Sequence, residues 1–132
     1  MMNERDCYPH LEADLDKLNE NLTALRERCQ DSFVGIIGVV KGVNAWPEVV
    51  QAFDRAGFSY LATSRLDQLN WLRGMRLRTP LMMIRVPMRS ELPGLVRAAD
   101  ASLPPTFRHT QKAVNRTICQ VFQFFKRFNL PP

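Results

Sequence analysis

One lysine in this chain stands where its chemistry would matter. Lys41 closes the run Val34-Gly35-Ile36-Ile37-Gly38-Val39-Val40 and is followed by Gly42, Val43 and Asn44. The residues before it are Val, Ile and Gly only, as in a strand buried on both faces. Asn44, Trp46 and Pro47 then open a helical pattern. Lys41 is thereby expected at the carboxyl end of a buried strand, the end at which α/β folds place their ligands. Desolvation disfavours an ammonium, and a neutral lysine amine attacks carbonyl carbon. A lysine in this position can also simply end a strand and turn its charge to water. The segment alone leaves both readings open.

The elements that would position Lys41 are legible from apolar spacing. Residues 8–13, Tyr8-Pro9-His10-Leu11-Glu12-Ala13, read as a short first strand. Asp14 can cap a helix whose Leu15, Leu18, Leu22, Leu25 and Cys29 share one face. After the lysine strand comes a helix from Pro47 to Ala56, ended by Gly57. Tyr60-Leu61-Ala62-Thr63 is a strand. Ser64 with Asp67 forms a variant capping box for a helix with Leu66, Leu69 and Leu72, and Gly74 ends it. Residues 81–86 form the strongest strand pattern, stopped by Pro87. Ser90 caps a helix with Leu92, Leu95, Val96 and Ala99, and Asp100-Ala101-Ser102-Leu103 begins another strand.

The order is β-α-β-α-β-α-β-α-β, with short connections. That predicts an α/β fold of parallel strands with outer helices. Two architectures fit: a small doubly wound sheet, or the N-terminal half of a (β/α)8 barrel, a fold that takes about 250 residues when whole. No G-x-G-x-x-G follows a strand and no Walker loop is present, so a nucleotide site is not supported.

Composition narrows the function classes. The 132 residues carry a net charge of +5, which taken alone points towards nucleic acid. Its distribution argues otherwise. All thirteen acidic residues lie in residues 1–103, balanced by thirteen Lys and Arg, whereas residues 104–132 hold five basic residues and no acid. That tail also holds five of the eight phenylalanines. It is read as lying outside the barrel, either as an incidental C-terminus or as a basic amphipathic helix for a membrane surface or acidic partner. The three cysteines are far apart and form no C-x-x-C, so no metal site is expected. No apolar run approaches the ~20 residues of a membrane span, and the polar N-terminus is not a signal peptide. The expected location is the cytoplasm.

Several pieces together resemble one family. Gly38-Val39-Val40-Lys41 with Gly42-Val43-Asn44-Ala45 resembles the lysine motif of the alanine racemase-like barrels, and the ornithine racemase branch most closely. Tyr8 to Glu12 with Asp14-Leu15, Tyr60 to Arg65, Leu81 to Met88, and Asp100 to Leu103 extend the resemblance in order over about residues 8–103. It implies a fold-type III barrel, with Lys41 forming a Schiff base with pyridoxal 5'-phosphate and abstracting the Cα proton of a free amino acid. Ser64, Arg65, Arg85 and Asn44 then become candidate cofactor-binding residues beside Lys41. An arginine can hold a carboxylate or the cofactor bidentately. Arg85, inside Ile84-Arg85-Val86, has few routes to water in a central strand. Arg65 can equally be a solvated helix-start residue, and Asn44 can equally cap the second helix.

The chain also departs from the family pattern. Relatives are about two to three times as long, and their later strands bring most of the phosphate-binding loop. This chain reads as truncated after about residue 103, and weak or absent racemase activity is expected of it alone. A non-catalytic pyridoxal-phosphate-binding barrel protein, or an inactive fragment acting through its basic tail, are the alternatives. Full-length relatives are expected to be homodimers. An open sheet edge predicts self-association of this chain.

Overall fold

The computed structural model describes residues 11–30 and 34–103. Tyr8, Pro9 and His10 and the basic tail, residues 104–132, lie outside the described residues. Leu11 to Ala13 carry no strand. Helix α1 (Leu15–Gln30) starts where expected: the Asp14 carboxylate accepts from the Lys17 backbone N–H at 3.0 Å. Then follow β1 (Ile37–Val39), a 3-10 turn (Lys41–Val43), α2 (Pro47–Ala56), β2 (Tyr60–Thr63) and α3 (Leu66–Gly74). The described chain ends with β3 (Leu81–Met83), a second 3-10 turn (Arg89–Glu91), α4 (Leu92–Ala98) and β4 (Ala101–Ser102).

All four strands are parallel and pair in chain order, β1-β2-β3-β4. A right-handed crossover repeated in one direction lays every helix on the same face. A doubly wound sheet needs a reversal of strand order to cover both faces. Among the described strands there is no reversal. Val40, Leu61, Leu81 and Met83 meet Val50 of α2, Leu69 and Leu72 of α3, and Leu95 and Ala98 of α4 in one buried core. Helix α1 lies outside, placing Leu18 and Leu22 on Ala52, Phe53 and Phe58. The architecture is thus consistent with part of a β/α barrel.

The opposite face carries Tyr60, Ala62, Met82, Ile84, Ala101 and Leu103, packed together. There the edge strand departs from the sequence expectation. β1 is not buried on both faces: Ile37 and Val39 are 43% and 44% exposed, while the alternate residues Gly38 and Val40 are buried. The expected capping box on α3 is also absent. Arg65 is the N-cap without a side-chain cap bond, and Asp67 pairs with the Arg65 guanidinium instead. Ser90 falls inside the second 3-10 turn, so Glu91 takes the capping role, accepting from the Met88 N–H at 2.8 Å.

The amino ends of the strands are tied by carboxylates. Asp54 of α2 accepts from the backbone N–H of Thr79 at 2.8 Å and of Arg78 at 3.3 Å, just before β3. Its partial burial opposes ionisation, but these bonds win and its carboxyl sits below the usual range. Asp100 accepts from the Leu81 N–H at 2.8 Å and pairs with Arg73 at 3.0 Å, fastening β4 and α3 to β3.

Gly38 is where the lysine strand meets α2. A Cβ built on it would lie 2.5 Å from Phe53 Cδ1 and 3.0 Å from Phe58 Cδ2. Those two rings stack edge to face, centroids 5.8 Å apart, so neither is free to swing away. Gly38→Ala is expected to destabilise the domain by about 1–3 kcal/mol through overpacking. Val39→Ala, on the exposed side of the same strand, is expected to cost under about 1 kcal/mol. Urea unfolding of the two variants measures the difference, and equal midpoints would contradict this packing.

Candidate active site

Parallel neighbours finish at one edge, so the residues that follow β1, β2 and β3 converge there. Lys41 follows β1, Ser64 and Arg65 follow β2, and Ile84 and Arg85 follow β3. The ladder continues one residue past the strands: Val40 N–H donates to Ala62 O at 3.0 Å and Ile84 N–H to Thr63 O at 3.1 Å. The candidate residues therefore hang on paired backbone rather than on free loops.

Lys41 is exposed, and its side chain has no hydrogen-bond or ion-pair partner among the described residues. The partial desolvation expected from the sequence is thus not what the structure shows. The cause is local. β1 is the edge of the sheet among the described strands, and the backbone winds at once into the Lys41–Val43 turn instead of running beneath a neighbour.

The turn ends on Asn44, whose φ of 50° lies in the left-handed region, and Ala45 follows at φ 54°. Asn44 N–H donates back to Lys41 O at 3.2 Å and Ala45 N–H to Val40 O at 3.0 Å. Asn44 does not cap α2, whose N-cap is Trp46. Its side-chain oxygen instead accepts from Gln68 Nε2 at 2.8 Å. The Gln68 oxygen in turn accepts from the Thr63 hydroxyl. Thr63 and Gln68 are buried, and this relay joins the carboxyl ends of β1 and β2 through α3.

Arg85 is engaged by the protein itself. Sequence reasoning placed it inside a central strand with few routes to water, but β3 ends at Met83 and the Arg85 side chain is 35% exposed. Its Nε donates to Ser64 O at 2.6 Å, and its two terminal nitrogens meet both oxygens of Glu91, one at 2.8 Å. The bidentate capacity is there, and Glu91 uses it. The Arg85 bonds, with the Met88 N–H, hold the Glu91 carboxyl at about 2 despite partial burial. Arg65 is exposed and paired with Asp67, whose carboxyl that hydrogen bond lowers. Ser64 is half-buried and takes part through its carbonyl.

Sequence reasoning missed Gln68, Thr63 and Glu91. Gln68 left a signal: it is an amide four residues before Leu72, on the inward stripe of α3. Glu91 left little, because the pair spans six residues across an irregular turn.

A parallel β/α unit whose lysine and arginines gather at the carboxyl edge of the sheet is the class this geometry defines. Comparison with known proteins adds the relationship. The chain is 32% identical over 109 residues to an ornithine racemase from Acetoanaerobium sticklandii, covering 83% of this chain and 30% of that protein. It is 29% identical over 85 residues to a lysine racemase from Thermotoga maritima, covering 64% of this chain and 24% of that protein. It thus spans about a third or less of the length of these curated relatives. No family model matches it, and no solved structure gives a significant match. The chain is related to the alanine racemase-like proteins, on the ornithine racemase side, as its motifs suggested.

The Arg85–Glu91 pair makes a pH prediction. A carboxyl held at about 2 in the folded chain and near 4.5 when unfolded stabilises the fold fully above about 4.5. That contribution fades as pH falls from about 4.5 towards about 2. Glu91→Gln is expected to flatten this part of the stability–pH curve and leave the neutral arm parallel. Urea midpoints measured across that range check it, and an unchanged acid slope in the variant would contradict the pair's role.

Proposed function

We propose that this chain carries the lysine-bearing part of a pyridoxal-phosphate-dependent amino-acid racemase of the ornithine racemase type. One observation carries the reading. Lys41 stands exposed at the carboxyl edge of the parallel sheet, with no side-chain partner among the described residues, in a chain similar to an ornithine racemase and a lysine racemase.

The residues present fit the aldehyde end of the cofactor. A covalent link to an aldehyde needs a primary amine that is reachable and not tied into an ion pair, and among the described residues Lys41 meets both conditions. Arg65 is the exposed guanidinium nearest in sequence to the edge of β2, and we assign it to anionic groups of cofactor or substrate, which it would meet by giving up Asp67 or through the nitrogen that Asp67 leaves open. Ser64, Asn44 and Arg85 shape the floor beside it, Arg85 by holding Ser64 O and Asn44 by closing the Lys41 turn. Bound pyridoxal phosphate supplies an electron sink that acidifies the Cα–H of an attached amino acid. Lys41 Nζ, released from the aldehyde when the amino acid's own amine replaces it there, would be the base that takes that proton and could return it to the same face. Inversion needs a proton donor on the other face, and this reading assigns that role to no described residue. The proposed substrates are free amino acids with a terminal amine, after the names of the two relatives.

In a second reading, favoured by the lack of an assigned opposite-face proton donor among the described residues, the chain binds the cofactor with little or no turnover. A barrel of eight strands would bury the apolar face that β1 leaves open, so self-association of the isolated chain is part of the proposal. Among the described residues no helix is long and apolar enough to cross a membrane.

Pyridoxal phosphate added to the purified chain is expected to give a visible-blue absorbance that Lys41→Ala abolishes. Chiral chromatography of ornithine and lysine after incubation then separates racemase from binder. Absorbance unchanged in Lys41→Ala, or none in the parent chain, would sink both readings.

A further inference from the structure

We propose that Gln68 is a positioning residue for Lys41, acting through Asn44. Asn44 and Ala45 are consecutive non-glycine residues with left-handed φ, 50° and 54°. Side chains with a Cβ disfavour this region, and such residues persist only where their surroundings over-determine them. Three backbone bonds close the turn on itself: Asn44 to Lys41, Ala45 to Val40 and Trp46 to Val43. Among the described residues, one side chain from another element hydrogen-bonds to it. Gln68 Nε2, from buried Gln68 on α3, donates to Asn44 Oδ1 at 2.8 Å.

The bond continues behind. The Thr63 hydroxyl donates to the Gln68 carbonyl oxygen, while the Gln68 amide nitrogen donates to Asn44. A primary amide is costly to bury, and leucine is what the neighbouring inward positions Leu69 and Leu72 carry. Gln68 is turned to the sheet edge, not to the core. It ties the turn after β1 to the end of β2, which fixes the backbone from which Lys41 springs. Thr63 is part of the same device, one step further back.

This deepens the reading of Lys41 as the reacting amine, and the test separates the two. The full chain is incubated with pyridoxal phosphate and reduced with borohydride, and the adducts on Lys41 and on surface Lys17 are quantified by peptide mass spectrometry. Amide hydrogen exchange of residues 41–46 is read in parallel, without any cofactor. Gln68→Leu is expected to speed exchange in the turn by about tenfold while α3 stays protected. It is expected to slow labelling of Lys41 by about tenfold, with Lys17 unchanged. Asn44→Ala should reproduce both effects, and the double variant should add nothing to either single one.

Exchange and labelling within about twofold of the parent in Gln68→Leu, or additive losses in the double variant, would overturn the proposal. If the parent labels Lys41 no faster than Lys17, the cofactor reading fails, and the exchange experiment alone decides the role of Gln68. If Gln68→Leu unfolds the chain, Asn44→Ala decides: faster exchange at 41–46 with intact α3 supports the coupling, and unchanged exchange overturns it.

Discussion

The backbone ladder of four parallel strands is the constraint on which everything else rests. Each strand is two to four residues long, so few bonds set each neighbour's register. Short parallel pairs are weak alone and need a covered face. The helices supply it: Val50, Leu69, Leu72 and Leu95 seal Leu61, Leu81 and Met83 from water. Gly38 permits the closest approach, where any side chain would strike Phe53. Because the strands run the same way, the packing that stabilises the ladder also delivers Lys41, Ser64 and Arg85 to one edge.

The two edges of the sheet are built differently. At the amino ends, Asp54 and Asp100 stitch the approach to β3 by accepting from backbone N–H groups. At the carboxyl ends, the ties are the Thr63–Gln68–Asn44 relay and the Arg85 contacts to Ser64 and Glu91. One edge holds the fold together, and the other holds candidate chemistry in place. This is the division expected of parallel β/α proteins, whose loops after the strands carry function.

Much of the fold was legible in the residues. Pro47 and Gly57 bracket α2, because proline suits a first helical turn and glycine accepts the left-handed C-cap, here at φ 72°. Asp14 announced α1 through its capping oxygen. Local patterns misled where the deciding partner was distant. Val34 to Val40 reads as doubly buried, yet among the described strands its position in the sheet makes β1 an edge. Ser64 and Asp67 match a capping box, but Arg65 takes the carboxylate. Arg85 sits in an apolar run, and its fate turned on β3 ending two residues earlier. Asn44 looked like a helix cap because its neighbours in sequence are visible and Gln68, 24 residues on, is not. Lys41 itself was singled out by type and position at the carboxyl edge of the sheet. Its exposure was not foreseen, since burial depends on which walls surround a residue rather than on its neighbours in the chain.

The relay beneath the Lys41 turn is made of a hydroxyl and two carboxamides, none of which ionises in water near neutrality. Protons can therefore neither load nor unload it. Whatever acid or base dependence Lys41 displays belongs to the amine and to what approaches it, while the frame that aims it stays silent.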